Sequence, residues 1–552
     1  MPDAVTDDAE TDDAADLDHT PAGTTVDVVV IGMGPVGKMA ALLLARAGHS
    51  VLVTERKERG YPLPRAVAHD AEIARILQTA GLPVDAMPDA VEPYDDLYVW
   101  VNGDDQVLHE VDWTGTDPSG WNNTYFYNQP ALEAHLDEQV HAQPTVRIER
   151  GVSARVADQD DDGVNVVIRV DATGAERTER ARFVLAADGA GSPVRTSLGI
   201  DWNDLGYFFD WLVVDVLPGE GMQVTHLAKQ VADPARPTTV VPAGPGRRRW
   251  EFMRLPGEST EELTEPARIW QLLQPFGVRP DNASIERGVV YTFNSGWAGQ
   301  WRQGRVFLLG DAAHQMPPFA GQGLAAGFRD CLNLAWKLDL VLRGEAAPAL
   351  LDTYTTERTM HVSDFIQFSM SLGRIICILD PDEARARDEA MLADRASGRT
   401  PEPPPAPRLG PGLHSGDTGG YLSWQGRVTA PGHAEIARFD DVFGAGALVL
   451  DDAALAAELG SAARDLEALG IRIVAFGGQA DGGVARFDDV AGSYAEWFAT
   501  LGAHAALIRP DFAVFGTASD AESVARLVAD FVTGVRKTVP ADEEAALVAA
   551  RP

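Results

Sequence analysis

Cysteine is nearly absent: the chain of 552 residues has two, Cys331 and Cys377. Two thiols provide neither a disulfide framework nor a zinc site. Cys331 falls in a helical pattern and reads as a packed thiol. The scarcity fits a cytoplasmic protein. Basic residues are also in deficit, 46 against 82 acidic, for a formal charge of −36. That argues against nucleic acid or an anionic membrane as partner. No Lys or Arg precedes Lys38, and residues 1–24 are rich in Asp. Such a leader buries little apolar surface and reads as disordered. It lacks the basic and apolar regions of a signal peptide. No apolar run approaches the length of a membrane span, and no metal-ligand constellation is present.

What the sequence does have begins at Val26. "VDVVVIGMGPVGKMAALLLARAGHSVLVTER" places a continuous apolar strand before Gly32, Gly34 and Gly37, then an Ala/Leu-rich helix, then a second strand closing on Glu55. This is G-x-G-x-x-G between strand and helix, with an acid about twenty residues on: a dinucleotide site. The first glycine permits the turn, the second admits a pyrophosphate, and the third lets helix and strand pack. The helix N-terminus offers N–H donors to the anion. Glu55 accepts from ribose hydroxyls and would repel a 2′-phosphate, so NADP is not expected in this site. Arg65 and Gln129 each lie at a helix start, where a surface or capping role is the competing reading.

Two more strands end on aspartate and glycine. "ARFVLAADGAGSPVR" leads to Asp188 and Gly189, and "GRVFLLGDAAHQMPPFAGQGLAAG" leads to Gly310 and Asp311. The carboxyl ends of strands are where open α/β sheets bind ligands. Asp311 accepts from sugar-alcohol hydroxyls, and Gly310 lets a ligand reach the backbone. Pro317 and Pro318 stiffen the next loop. Gly321, Gly323 and Gly327 open another helix, whose donors and dipole suit a ring that becomes anionic, such as a reduced isoalloxazine.

These three signatures, in this order, resemble the flavoprotein aromatic hydroxylases of the para-hydroxybenzoate hydroxylase type from about Val26 to about Ser369. The likeness is greatest to the 3-(3-hydroxyphenyl)propionate hydroxylase-like enzymes, in "RAVAHDAEIARIL", "RRWEFMRLPGE", "GDAAHQMPPFAGQG" and "RDCLNLAWKL". The resemblance implies FAD as cofactor and NADH or NADPH as transient reductant. Gly32, Gly34, Gly37 and Glu55 would hold the ADP half of FAD. Arg65 and Gln129 would contact its ribityl-phosphate region. Asp188 and Gly189 would serve both FAD and the nicotinamide cofactor, with Arg195 nearby. Gly310 and Asp311 would hold the ribityl chain or pyrophosphate. Pro318, Gly321, Gln322, Gly323 and Leu324 would lie beside the flavin ring. One departure stands out: Ala325 replaces an asparagine common in the family after the Gly-Gln-Gly start.

The implied reaction is hydroxylation of a phenolic ring with O₂ through a flavin C4a-hydroperoxide. His314 and Pro318 are the candidates for the catalytic line, with a structural histidine as the alternative for His314. His226 and Tyr291 are candidates for the substrate, and His69 is a weaker one. Arg247, Arg248 and Arg249 are placed in a solvated turn, with attraction of a carboxylate or of the nicotinamide cofactor as the alternative. Rival functions are a natural-product tailoring monooxygenase and, more remotely, a non-catalytic flavin-binding protein.

The expected fold is α/β: a Rossmann-like FAD-binding domain with an antiparallel-sheet substrate domain and a C-terminal thioredoxin-like α/β domain. Residues 25–398 form the monooxygenase region, with substrate-sheet insertions at about 90–125 and 200–295. Residues 399–425 read as a Pro/Gly-rich linker. Residues 426–540 read as the thioredoxin-like unit, which lacks C-x-x-C and so cannot do dithiol redox work. The expected partners are a small aromatic substrate and O₂, without nucleic acid or membrane, and a homodimer is left open.

Overall fold

Val28, Val29 and Val30 have no exposed surface, as a run without polar alternation requires of a strand covered on both faces. The computed structural model describes residues 25–60, 65–206, 209–222, 225–399, 408–478 and 483–537. The acidic leader, residues 400–407 of the expected linker and the end of the expected C-terminal unit lie outside these. Strand β1 (Val26–Ile31) leads through helix α1 (Pro35–Arg46) to β2 (Val51–Glu55). Next come β3 (Ala68–Asp70), α2 (Ala71–Thr79), β4 (Val91–Tyr94), β5 (Leu97–Val101), β6 (Val107–Asp112) and β7 (Thr124–Tyr127). Helix α3 (Gln129–His141) returns the chain to β8 (Val146–Arg150), and after a hairpin comes β9 (Glu176–Ala186).

Five strands then follow: β10 (Phe209–Pro218), β11 (Ala228–Val231), β12 (Thr238–Pro242), β13 (Arg248–Met253) and β14 (Ala283–Phe293). They join β5 and β6 in a sheet of order β14-β10-β13-β12-β11-β5-β6. The chain comes back to the first sheet with β15 (Val306–Leu308), then α4 (Gly323–Arg343) and α5 (Thr353–Ile376).

The first sheet places β15, β9, β1, β2 and β8 side by side, all parallel. Register decides what meets at its end. Ile31 pairs with Ala186 and Thr54, and Ala186 with Leu308. Gly32, Glu55, Asp188 and Gly310 therefore emerge along one edge, although they are far apart in sequence.

The C-terminal sheet is built from β16 (Ala447–Leu450), β17 (Arg472–Ala475), β18 (Ala505–Ile508) and β19 (Val514–Ala518). The spatial order is β17-β16-β18-β19, with the two-residue strand Ala485–Arg486 on the outer edge of β17; that contact and the one between β16 and β17 are parallel, and the other two are antiparallel. Helices lie between β16 and β17, between β17 and β18, and after β19. This is a small α/β arrangement. The segment expected to be a linker is tied down from Leu409 onward. Gly410 N donates to Glu357 O, Ser415 N to Phe515 O and Gly420 N to Val514 O. Pro411 and the glycines around it belong to a packed strap. Among the described residues no single helix is long and apolar enough to cross a membrane. None of their His, Cys, Asp and Glu side chains form a metal-holding group of three.

Candidate active site

At the end of β1 the three glycines divide their work. A Cβ on Gly32 would lie 2.4 Å from Ala187 O, and one on Gly37 would lie 2.0 Å from Gly32 O. Both keep backbone against backbone. A Cβ on Gly34 would meet nothing within 4 Å. Gly34 instead caps α1, which has Pro35 in its first turn, no side-chain cap and no acid there. The helix N–H groups are thus left for an anion. Glu55 sits beside this turn: Met33 N donates to its Oε2 and Lys57 N to its Oε1, both at 2.9 Å.

The second edge is Asp188. Its Oδ2 accepts from Val194 N at 3.0 Å, while its Oδ1 is buried without a partner. Loss of water pushes this carboxyl above its ordinary value. Arg195 donates to Ala312 O at 2.8 Å and to Ala190 O at 3.0 Å, so it laces the Asp188 loop to the Asp311 loop.

At the third edge Asp311 is exposed, and its carboxylate accepts no hydrogen bond among the described residues. Beneath it lies a buried ion cluster. Asp330 Oδ2 accepts from Gly310 N at 3.1 Å and meets His314 Nε2 at 2.7 Å, while Arg358 Nε donates to Asp330 Oδ1 at 2.8 Å. His314 is 1% exposed and packs on Trp301. This corrects the catalytic expectation for His314: its ring is committed to Asp330 and has no surface for a substrate. Pro318 begins a turn whose Phe319 meets Trp211 edge-on, with ring centroids 5.6 Å apart.

Helix α4 starts at Gly323 without a side-chain cap or a first-turn acid, and a Cβ on Gly323 would meet nothing. Gln322 turns its side chain away: Nε2 donates to Asp70 and Oε1 accepts from Arg329. Leu324 packs at the edge of the core, and Ala325 is buried. Gly327 serves packing, since a Cβ there would lie 2.6 Å from Val36 Cγ2. Gln129 is a clamp: its Oε1 accepts from Arg65 N and Ala66 N at 2.9 Å each. It holds the Arg65 loop.

The arginines of "GRRRWEF" depart from the solvated-turn expectation. Arg247 remains half-buried and pairs with Glu286, but Arg248 and Arg249 are 3% and 1% exposed. Arg249 lies opposite Asp215 in register and donates to both its oxygens, at 2.7 and 3.0 Å, and to Arg65 O at 2.7 Å. A neighbouring strand supplies the countercharge, so the guanidinium stays inside. Arg287 pairs with Asp215 at 2.9 Å and donates to Tyr291 Oη at 3.0 Å. Arg248 donates to the carbonyls of His226 and Leu227. His226 is exposed and stacks near Tyr94, with ring centroids 5.1 Å apart. His69 is buried between Tyr125 and Tyr127. The Asp215–Arg249–Arg287 group and Asp330 were missed as site features. Their only signal is charge within an apolar alternation.

The residues present fit FAD. Three strand ends converge on one edge, two uncapped helix N-termini open onto glycines with empty space beside them, and two strand-end aspartates keep an oxygen unclaimed among the described residues. Comparison with known proteins agrees. Residues 25–369 match the FAD binding domain family, and residues 420–533 match the HcaD C-terminal domain. The chain is 38% identical, over 92% of its length and 95% of the relative's, to a probable NADH-specific resorcinol 4-hydroxylase of Rhodococcus jostii (strain RHA1). It is 36% identical, over 66% of its length and 61% of the relative's, to the 3-(3-hydroxy-phenyl)propionate/3-hydroxycinnamic acid hydroxylase of Comamonas testosteroni. Among solved structures, the flavin-dependent monooxygenase PieE shares the fold with a TM-score of 0.76 at 22% identity, over 93% of this chain and 99% of that one. Aklavinone-11 hydroxylase does so with a TM-score of 0.74 at 25% identity, over 92% and 98%.

Proposed function

Because this chain belongs to the FAD binding domain family and is an FAD-dependent aromatic hydroxylase, we propose that its substrate is an uncharged hydroxybenzene of the resorcinol class and its reductant NADH. The observation that carries this reading is the near full-length likeness to the resorcinol 4-hydroxylase; the likeness to the phenylpropionate enzyme covers about three-fifths of that relative. The site supports the choice. A phenolic acid needs a cation for its carboxylate, and the buried arginines of the substrate sheet are engaged. Arg249 and Arg287 share Asp215, and Arg248 holds two carbonyls. The strongly acidic chain also favours the less charged of the two reductants. The tailoring reading rests on likeness of fold alone. We place the enzyme in the cytoplasm, on its scarcity of cysteine.

Bound FAD supplies the redox and oxygen-transfer chemistry. In our reading Gly34 and the start of α1 hold its pyrophosphate, Glu55 its adenosine ribose and Asp311 its ribityl chain. The start of α4 presents N–H donors to the ring. Trp211 and Phe319 exclude water from the face where the substrate lies.

The test is oxidation of NADH and NADPH by the purified holoenzyme, with resorcinol or 3-(3-hydroxyphenyl)propionate, alongside product mass. Stimulation of NADH oxidation by resorcinol, with a product one oxygen heavier, is expected. Stimulation by the acid alone, or a preference for NADPH, overturns the corresponding half of the proposal.

A further inference from the structure

Strand β13 alternates. Trp250 and Phe252 face a core with Leu212, Val214 and Ile269. Arg249, Glu251 and Met253 take the other face, which carries Trp211 and meets Phe319 of the flavin loop. Glu251 lies between Val213 of β10 and Thr239 of β12. Two residues along on one side, on the same face, is Trp211 with Met253; on the other is Asp215 with Arg249. Glu251 is therefore the junction between the aromatic and the charged halves of this floor.

Its neighbours leave it underused. Asp215 accepts twice from Arg249 and pairs with Arg287. The contact of Glu251 with Arg249 is 3.6 Å, too long for a hydrogen bond, and its carboxylate accepts none among the described residues. Thr239 turns its hydroxyl to Gln230 instead. The Glu251 side chain keeps 13% of its surface accessible. Desolvation raises this carboxyl, against the pull of Arg249. A carboxylate in such a place is stabilised by a donor that arrives with a ligand.

We propose that Glu251 receives a hydroxyl of the aromatic substrate and so selects a hydroxylated, uncharged ring. The assignment rests on the function proposed above. A hydroxyl donates to Glu251, whereas a methoxy group cannot, and a substrate carboxylate is repelled by it. Oriented by that bond, the ring lies against Phe319, which keeps accessible surface, with Trp211 buried behind it.

The test uses holoenzyme carrying Glu251→Gln or Glu251→Ala, with FAD content measured first. The Kd for resorcinol is read from the change in flavin absorbance, and the product formed per NADH consumed is measured separately. Loss of a charged acceptor should raise Kd about 10- to 100-fold. It should lower product per NADH and shrink the preference for resorcinol over 3-methoxyphenol, with FAD content unchanged. Gln should retain more of the preference than Ala. Unchanged Kd and product yield in both variants overturn the assignment. If the wild type takes only the phenolic acid, the neutral-ring reading falls; selection against charge falls with it. The same Glu251→Gln comparison, made with that acid, then decides whether Glu251 holds the phenol hydroxyl.

Discussion

Gly34 and Gly37 are three positions apart and predict opposite behaviour. Gly37→Ala forces a methyl into Gly32 O and should lower the melting temperature of the flavin-free protein. Gly34→Ala meets no protein atom and should leave that temperature unchanged. It should weaken FAD binding by about tenfold or more, roughly 1.4 kcal/mol; titration of the flavin-free protein with FAD checks both. Asp311→Asn should likewise weaken FAD retention without destabilising the flavin-free protein, because it removes an exposed charge that accepts no hydrogen bond among the described residues. Full flavin content after purification would refute this. The placement of the glycines and strand-end aspartates was legible in the sequence because it is local: a turn, a strand end, a helix start. Asp330, Asp215 and Glu251 were not legible. The roles of Asp330 and Asp215 come from neighbours 16 and 72 residues away, His314 for the first and Arg287 for the second. His314 lies in the right loop, but the loop turns its ring inward to Asp330.

Among the elements, α4 carries the heaviest duty. Its first turn is uncapped and opens onto empty space at Gly323, Gly327 lets it touch α1, and Asp330 holds the Gly310 turn and Arg358 of α5. Asp330→Ala removes the countercharge from a buried arginine and should cost about 3–5 kcal/mol, read by urea unfolding of the flavin-free protein. A loss below 1 kcal/mol would show the cluster to be replaceable. Strands β1, β2 and β9 were legible as apolar runs. The floor of seven strands was legible as alternation, but its order was not, since β5 and β11 pair across more than a hundred residues. The strap after Leu409 was misjudged because Pro411 and its glycines look the same in a free linker as in a tied one.

The molecule as a whole is held together by charge at its domain junction. Arg509 beside β18 donates to both oxygens of Glu357 on α5, at 2.8 Å each, and Lys337 on α4 reaches the same carboxylate at 2.7 Å. Arg75 on α2 clasps Asp440 at 2.6 and 2.9 Å. Burial opposes the charge of Glu357, but Arg509 and Lys337 outweigh it and hold the carboxyl far below the ordinary range. Its folded value is depressed, so its stabilisation is present above the unfolded value, about 4.3. That stabilisation is lost as pH falls towards the folded value. Glu357→Gln should therefore lower the melting temperature at pH 7, and the gap from wild type should narrow steadily below pH 4; a gap independent of pH would contradict this. The edge that gathers Gly32, Glu55, Asp188 and Gly310 has a consequence for biosynthesis. Gly310 is translated roughly 15 to 60 s after Ile31, and until then a nascent chain has only part of a cofactor cradle. Flavin capture thus reports that translation has passed the last of these strands, and a chain terminated before Val306 should emerge colourless.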